Sequence, residues 1–158
     1  MQLSSILVGA MAADIRIERA AAADLPAVLQ FLETNQLPTA GLAAHAESLW
    51  IARRDGHIVG SIALELYGEG ALLRSAAVDA GARGRGLGAR LTEVALAAAQ
   101  DAAVPAIYLL TTTAENYFPR FGFEEITRAD VPADVRGSIE FQSACPASAV
   151  VMRRRLTT

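Results

Sequence analysis

The chain has no lysine: all 14 of its basic residues are arginine. A Walker-type phosphate loop ends in Gly-Lys-Ser/Thr, so a P-loop nucleotide enzyme is excluded by composition alone. Cysteine is almost absent too. The single Cys145 allows no internal disulfide and no multi-cysteine metal cluster, which suits a reducing compartment and makes the cytoplasm the expected location. Positive charge is not in excess. With a net charge of −3 and a pI of about 5.4, the chain offers no basic field for collecting nucleic-acid phosphates. Long hydrophobic runs are missing as well. The apolar start MQLSSILVGAMAA lacks a positive flank and falls short of the ~20 residues that cross a bilayer, so neither an export signal nor a membrane span is expected.

What is present suffices for a core. The 158 residues, 53% hydrophobic and 20% charged, match one domain and exclude disorder over any long stretch. Periodicity begins at Asp14, so residues 1–13 are expected to be loose and residues 14–158 to form the domain, with either Met1 or Met11 as the start. No repeat, linker or low-complexity segment interrupts it.

Alternation from Asp14 to Glu18 predicts a strand. Asp24-Leu-Pro predicts a helix start with Asp24 as its cap, and Leu25, Val28, Leu29 and Leu32 form the buried stripe; Phe31 and Trp50 are expected in the core. A short helix is expected around Leu42 to Glu47. Leu49 to Arg54, Asp55-Gly56 and His57 to Tyr67 predict a hairpin, with His57 solvated beside the turn. Gly68 to Gly70 reverses the chain into a third antiparallel strand, Ala71 to Val78. Leu87 to Ala103 predicts an amphipathic helix presenting Leu91, Val94, Ala95 and Ala98. Ala106 to Thr113 predicts a strand buried on both faces. Beyond it come a short helix, Ala114 to Phe121, stopped by Gly122; a strand, Phe123 to Thr127; a helical stretch, Val131 to Ile139; and a closing strand, Ala149 to Leu156.

The strongest chemical signal is the strand, loop and helix around Arg83-Gly84-Arg85-Gly86-Leu87-Gly88-Ala89. A glycine-rich turn that opens a helix gathers backbone N–H groups and the helix dipole around one point, which suits a phosphate. Glycines at 84, 86 and 88 let an anion reach the backbone, while Arg83 and Arg85 add local charge. A dinucleotide fingerprint would instead follow the first strand of a parallel unit and be trailed by an acidic residue about twenty positions on. A solvated Gly-Arg loop would explain the glycines but not their place between strand and helix.

Arg83, Gly86 and Gly88 fit the acetyl-coenzyme A loop Arg/Gln-x-x-Gly-x-Gly/Ala, and Ala114-Glu-Asn-Tyr-Phe-Pro-Arg-Phe-Gly122-Phe123 resembles the short helix ending in Gly-Phe that follows it in the GCN5-related N-acetyltransferase (GNAT) superfamily. The resemblance runs from Ile15 through nearly the whole chain. It implies an α/β fold with a mixed, mostly antiparallel sheet of six to seven strands flanked by helices, splayed between the strands ending at Val78 and Thr113. Acetyl-CoA is the implied co-substrate, without a metal. Its pantetheine arm would bond main-chain groups at Ala76, Ala77 and Val78, its thioester carbonyl would meet the Val78 amide, and its phosphates would lie on Arg83 to Ala89. The implied reaction is direct attack by an amine.

Many members of the superfamily carry a tyrosine acid four residues before the glycine of Gly-Phe. Phe118 stands there, with Tyr117 one place earlier, and a helix turns about 100° per residue, so Tyr117 is either the acid or a core ring. Base candidates are Glu65, His45 and Glu140. Arg74 interrupts an apolar strand on the face that alternation shares with Val78; it either holds an acceptor anion or pairs with Glu65 or Glu69. Cys145 reads as a packed small residue.

Asn35 to Leu42, Leu72 to Ser75, Tyr108 to Glu115 and Phe141 to Ala149 further resemble arsenic-resistance N-acetyltransferases of the arsinothricin type. The implied partner is a small-molecule amine acceptor, with a homodimer left open. A second class stays open as well: a catalytically weak acetyl-CoA sensor or partner module.

Overall fold

The computed structural model describes residues 15–144 and 147–156. The expectations for residues 1–13, for Asp14 and for Cys145 lie outside the described residues.

Seven strands form one mixed sheet: β1 (Arg16–Arg19), β2 (Leu49–Arg54), β3 (His57–Leu66), β4 (Ala71–Val78), β5 (Ala106–Thr111), β6 (Glu124–Ile126) and β7 (Val150–Arg155), in the order β1-β2-β3-β4-β5-β7-β6. Among the described pairs only β4 and β5 run parallel; the others are antiparallel. The β2–β3 hairpin closes on Asp55 (φ 53°) and Gly56 (φ 79°), the double left-handed turn that matches strand twist.

Alternation sends the strand side chains to two faces. On one, Trp50, Ile62, Leu64, Leu73 and Ile107 pack against α2 (Leu87–Asp101). The stripe of α2 runs through Leu87, Leu91, Ala95 and Ala99, with Val94 and Ala98 at its margin rather than at its centre. On the other face, Ile51 and Ala63 meet Val28 and Leu32 of α1 (Leu25–Thr34), with Phe31 only partly buried. Farther along that face Leu72 and Tyr108 meet Val135 of α3 (Ala133–Arg136) and Phe141.

Several elements are shorter than their sequence pattern. The segment 114–121 keeps only a 3-10 turn, Phe118–Phe121, with Pro119 in its first positions and Gly122 (φ 87°) at its end. Val131–Ile139 yields only the single turn of α3, and Leu42–Ser48 is 3-10 helix kinked at His45. Asp24 does not cap α1 with its side chain. Its carboxylate accepts from the Ala21 N–H, 2.8 Å away, and pairs with Arg53, because the turn Ala22–Asp24 folds the side chain backward.

Candidate active site

The splay follows from the register. β4 and β5 pair only at Ala71–Ile107, Leu72–Tyr108 and Leu73–Leu109; past these, they no longer pair with each other. A cavity of about 750 Å³ fills the gap, lined by Ala76 and Val78 of β4, Leu110 of β5 and the first turn of α2. The Asp79 N–H donates to the Val59 carbonyl (2.8 Å). Successive amides along a strand point to opposite sides, so the Val78 N–H turns away from β3 and toward the gap.

The loop after β4 begins with Asp79, whose carboxylate accepts from the Gly81 N–H (3.2 Å). Gly84 (φ 81°) and Gly86 (φ 76°) are left-handed, and open space surrounds the position a Cβ would take at each. Gly86 is the N-cap of α2. The amides of Leu87, Gly88 and Ala89 therefore stand in a first turn with no intrahelical acceptor and the positive end of the dipole behind them. All three residues line the cavity. Backbone amides left bare here, with open space at Gly84 and Gly86, fit a coenzyme phosphate. Arg83 lines the cavity as well and donates from Nε to the Val78 carbonyl (3.0 Å), tying the loop to the strand end; Arg85 is exposed and is not part of the lining.

Tyr117 does line the cavity. The 100° step that would turn it aside belongs to an α-helix, whereas Tyr117 precedes a 3-10 turn. Its ring packs edgewise on Phe118 and Phe121, with centroids 5.3 and 5.4 Å away, and the Arg120 guanidinium lies 4.5 Å over its face.

At the other end lies a buried charged cluster. Arg74 donates from Nη1 to Glu65 (2.8 Å) and to the Ala40 carbonyl (2.8 Å), and from Nη2 to the Pro38 carbonyl (3.1 Å). Its Nε faces Glu140 at 3.3 Å, and none of its side chain is exposed. Tyr67 donates its hydroxyl to Glu65, and His45 Nε2 stands 3.6 Å from the same carboxylate oxygen. Burial, then the hydrogen bond to Glu65 and after it the Glu65 charge, push the Tyr67 phenol far above its usual pKa, so it stays a donor.

Two sequence expectations change here. Arg74 does not share a face with Val78. Ser61 pairs with Ala77 and Ala63 with Arg74, so Ser75 and Ala76 together oppose Ile62; this bulge, with Ser75 at φ 60°, inverts the alternation. Leu73 and Val78 consequently pack toward α2, while Leu72 and Arg74 face the other way. Glu65 is not a lining residue: it is buried against Arg74, whereas Glu140 is among the residues that line the cavity. His45 is also outside the lining, and His57 is exposed as expected.

Sequence reasoning missed Tyr67, Ser61 and Gln36. Tyr67 follows Glu65 by two residues along an extended chain, a same-face spacing that pointed to it; the other two had no local signal. Among the described residues, no cluster of three or more His, Cys, Asp or Glu is arranged to hold a metal, and no helix is long and apolar enough to cross a membrane.

Residues 45–125 match the acetyltransferase (GNAT) domain model. An amino-acid acetyltransferase of Mycobacterium tuberculosis is 30% identical over 131 residues, which is 75% of this chain and 74% of that relative. A solved M. tuberculosis structure in complex with CoA superposes with a TM-score of 0.76 at 25% identity, covering 90% of this chain and 99% of that one. The N-acetylglutamate synthase of Neisseria gonorrhoeae, solved with coenzyme A and N-acetyl-glutamate, shares the fold at a TM-score of 0.76 and 21% identity. That match covers 91% of this chain, which spans only 35% of the synthase. The splayed sheet, the glycine loop and these likenesses agree: the chain belongs to the GNAT family of acetyltransferases, enzymes whose co-substrate is acetyl-CoA.

Proposed function

We propose that this protein, as one domain spanning residues 14–158 and acting in the cytoplasm, acetylates the amine of a small, anionic, amino-acid-like acceptor by direct attack. The observation that carries this reading is the pairing of Arg74 with Glu140 in the cavity wall. A zwitterion offers an ammonium for Glu140 and a carboxylate that would exchange with one of the partners now holding the buried guanidinium, whereas a lysine-rich peptide offers only the first. The likeness to an amino-acid acetyltransferase supports the same class.

When bound, acetyl-CoA supplies the thioester that the amine attacks. Main-chain groups of Ala76, Ala77 and Val78 would hold its pantetheine arm. The amides around Gly84, Gly86, Gly88 and Ala89, with Arg83, would hold its phosphates, and exposed Arg85 would add charge at longer range. The Val78 N–H is a fixed donor for a carbonyl oxygen gaining negative charge, an arrangement worth a few kcal/mol of barrier. Glu140 takes the ammonium proton in this reading, Tyr117 gives its hydroxyl proton to the departing sulfur, and Glu65 positions Arg74.

Within this class arsinothricin and related analogues are the finer proposal. This finer reading is supported by the lining of the cavity, to which the stretches that resemble that subgroup contribute Gln36, Leu37, Pro38, Arg74 and Ser75. Thiol release from acetyl-CoA, measured with proteinogenic amino acids, arsinothricin-type analogues and basic peptides, tests the proposal. Turnover with an amino-acid-like anion is expected. Efficient acetylation of basic peptides with none of the amino-acid analogues accepted would overturn it.

A further inference from the structure

Gly88 has an ordinary right-handed place in the first turn of α2, so its lack of a side chain is not explained by backbone conformation. Its surroundings explain it. A Cβ at this position would stand 2.9 Å from the Tyr117 hydroxyl oxygen and 3.7 Å from its ring carbon Cζ. The first distance lies inside van der Waals contact. The next neighbour, Val78 Cγ2 at 3.7 Å, would be an ordinary contact. Everything else tolerates a methyl group; only the hydroxyl must move.

Nor can that hydroxyl move freely. The Tyr117 ring is boxed by Phe118 and Phe121 edgewise and by Arg120 over its face, and Arg120 is itself tethered through Nε to the Tyr117 carbonyl (3.0 Å). We infer that Gly88 is a positioning residue: its missing side chain makes the notch that seats the Tyr117 hydroxyl against α2, beside Val78 and the cavity. In this arrangement a tyrosine one place early in the chain still delivers its hydroxyl to the site, on condition that residue 88 is glycine. The inference rests on the reading of Tyr117 as the acid, and its test separates the two.

The test is a cycle of Gly88→Ala, Tyr117→Phe and the double variant, followed by melting temperature without ligand, coenzyme A affinity by calorimetry, and kcat at saturating acetyl-CoA. Removing the acid should lower kcat by roughly 10²-fold. Gly88→Ala should do about the same, since a misplacement near 1 Å can cost ~10²-fold. The double variant should be no slower than Tyr117→Phe alone. Melting temperature should fall in Gly88→Ala and recover when the hydroxyl is removed as well, and whatever coenzyme A affinity Gly88→Ala loses should be regained in the double variant. Additive melting-temperature effects would overturn the notch. So would a loss of coenzyme affinity from Gly88→Ala that is equal with tyrosine or phenylalanine at 117, because bare backbone would then serve the coenzyme alone. Full kcat in Tyr117→Phe would overturn the acid assignment by itself, and the melting temperatures would still report on the notch.

Discussion

Arg74→Lys is the most informative single substitution, because the guanidinium does what no ammonium can reproduce. It reaches Glu65, Glu140 and the carbonyls of Pro38 and Ala40 from one buried point, over distances of 2.8 to 3.3 Å. A lysine has three donors on a single nitrogen and cannot span all four. Taking the charged partner from one buried carboxylate costs about 3–5 kcal/mol. For a chain of this size each kcal/mol shifts the melting temperature by about 2–4 °C, so a fall of roughly 6–20 °C is expected. The Pro38 and Ala40 carbonyls belong to the loop that contributes Gln36 and Leu37 to the cavity. Acceptor KM should therefore rise about tenfold or more, the equivalent of one charge-assisted hydrogen bond. Coenzyme affinity should hold, since the proposed cradle, Arg83 to Ala89, makes none of these contacts. Differential scanning calorimetry and acceptor kinetics on one preparation decide the matter. A melting temperature within 2 °C of wild type, by order of magnitude under 1 kcal/mol, would refute the network argument; a large thermal loss with unchanged acceptor KM would remove Arg74 from the acceptor site.

Three further outcomes are expected. Gly86→Glu forces a side chain into a left-handed N-cap (φ 76°), at about 1–2 kcal/mol, and sets negative charge where a phosphate belongs; coenzyme affinity measured by calorimetry should drop at least tenfold, by order of magnitude a lost charge-assisted contact, and unchanged affinity would sink the cradle. The Ala21 amide, and after it Arg53, hold the Asp24 carboxyl below its ordinary 3.8. A depressed folded-state pKa means that this contribution is complete above the ordinary value and lost as pH falls through the lower one, so Asp24→Asn should flatten the acid limb of stability against pH below about pH 4; an unaltered limb refutes the assignment. Ser61→Ala strips the 2.7 Å hydrogen bond from the Ser75 carbonyl, both residues being buried, and should cost about 1–3 kcal/mol in urea denaturation; a change near zero would mean that the bulge needs no such tie.

Much of the architecture was legible because its signals are local. Asp55-Gly56 names its own turn, and glycines between a strand and an apolar-striped helix name a phosphate loop wherever they are packed. The splay of β4 from β5 came with the family resemblance, not with periodicity. What stayed hidden depends on tertiary geometry. Leu72-Leu73-Arg74-Ser75-Ala76 contains no glycine to announce a left-handed residue, so simple alternation put Arg74 on the wrong face. Which of Glu65, His45 and Glu140 lines the cavity required the tertiary arrangement around Arg74. Asp24 had the composition of a cap, but a preceding 3-10 turn recruited its carboxylate first.

The bulge at Ser75 accounts for how one strand serves both ends of the cavity. Under strict alternation Arg74 would project with Val78 toward α2, where Leu91, Ala95 and Ile107 make an apolar layer holding no carboxylate. A buried guanidinium left unpaired there would cost several kcal/mol. The extra residue inverts the strand: Arg74 turns to Glu65 and Glu140, while Val78, past the bulge, packs its side chain toward α2 and points its N–H into the gap. The Ser61 hydroxyl takes up the carbonyl that the bulge displaces from the ladder, and the Ser75 hydroxyl accepts from Arg74 Nε at 3.3 Å. A left-handed serine, strained by of order 1 kcal/mol, is thus held by hydrogen bonds on both sides. The strain sits between the two groups whose relative placement the proposed chemistry needs: a donor for the thioester oxygen and an anchor for the acceptor.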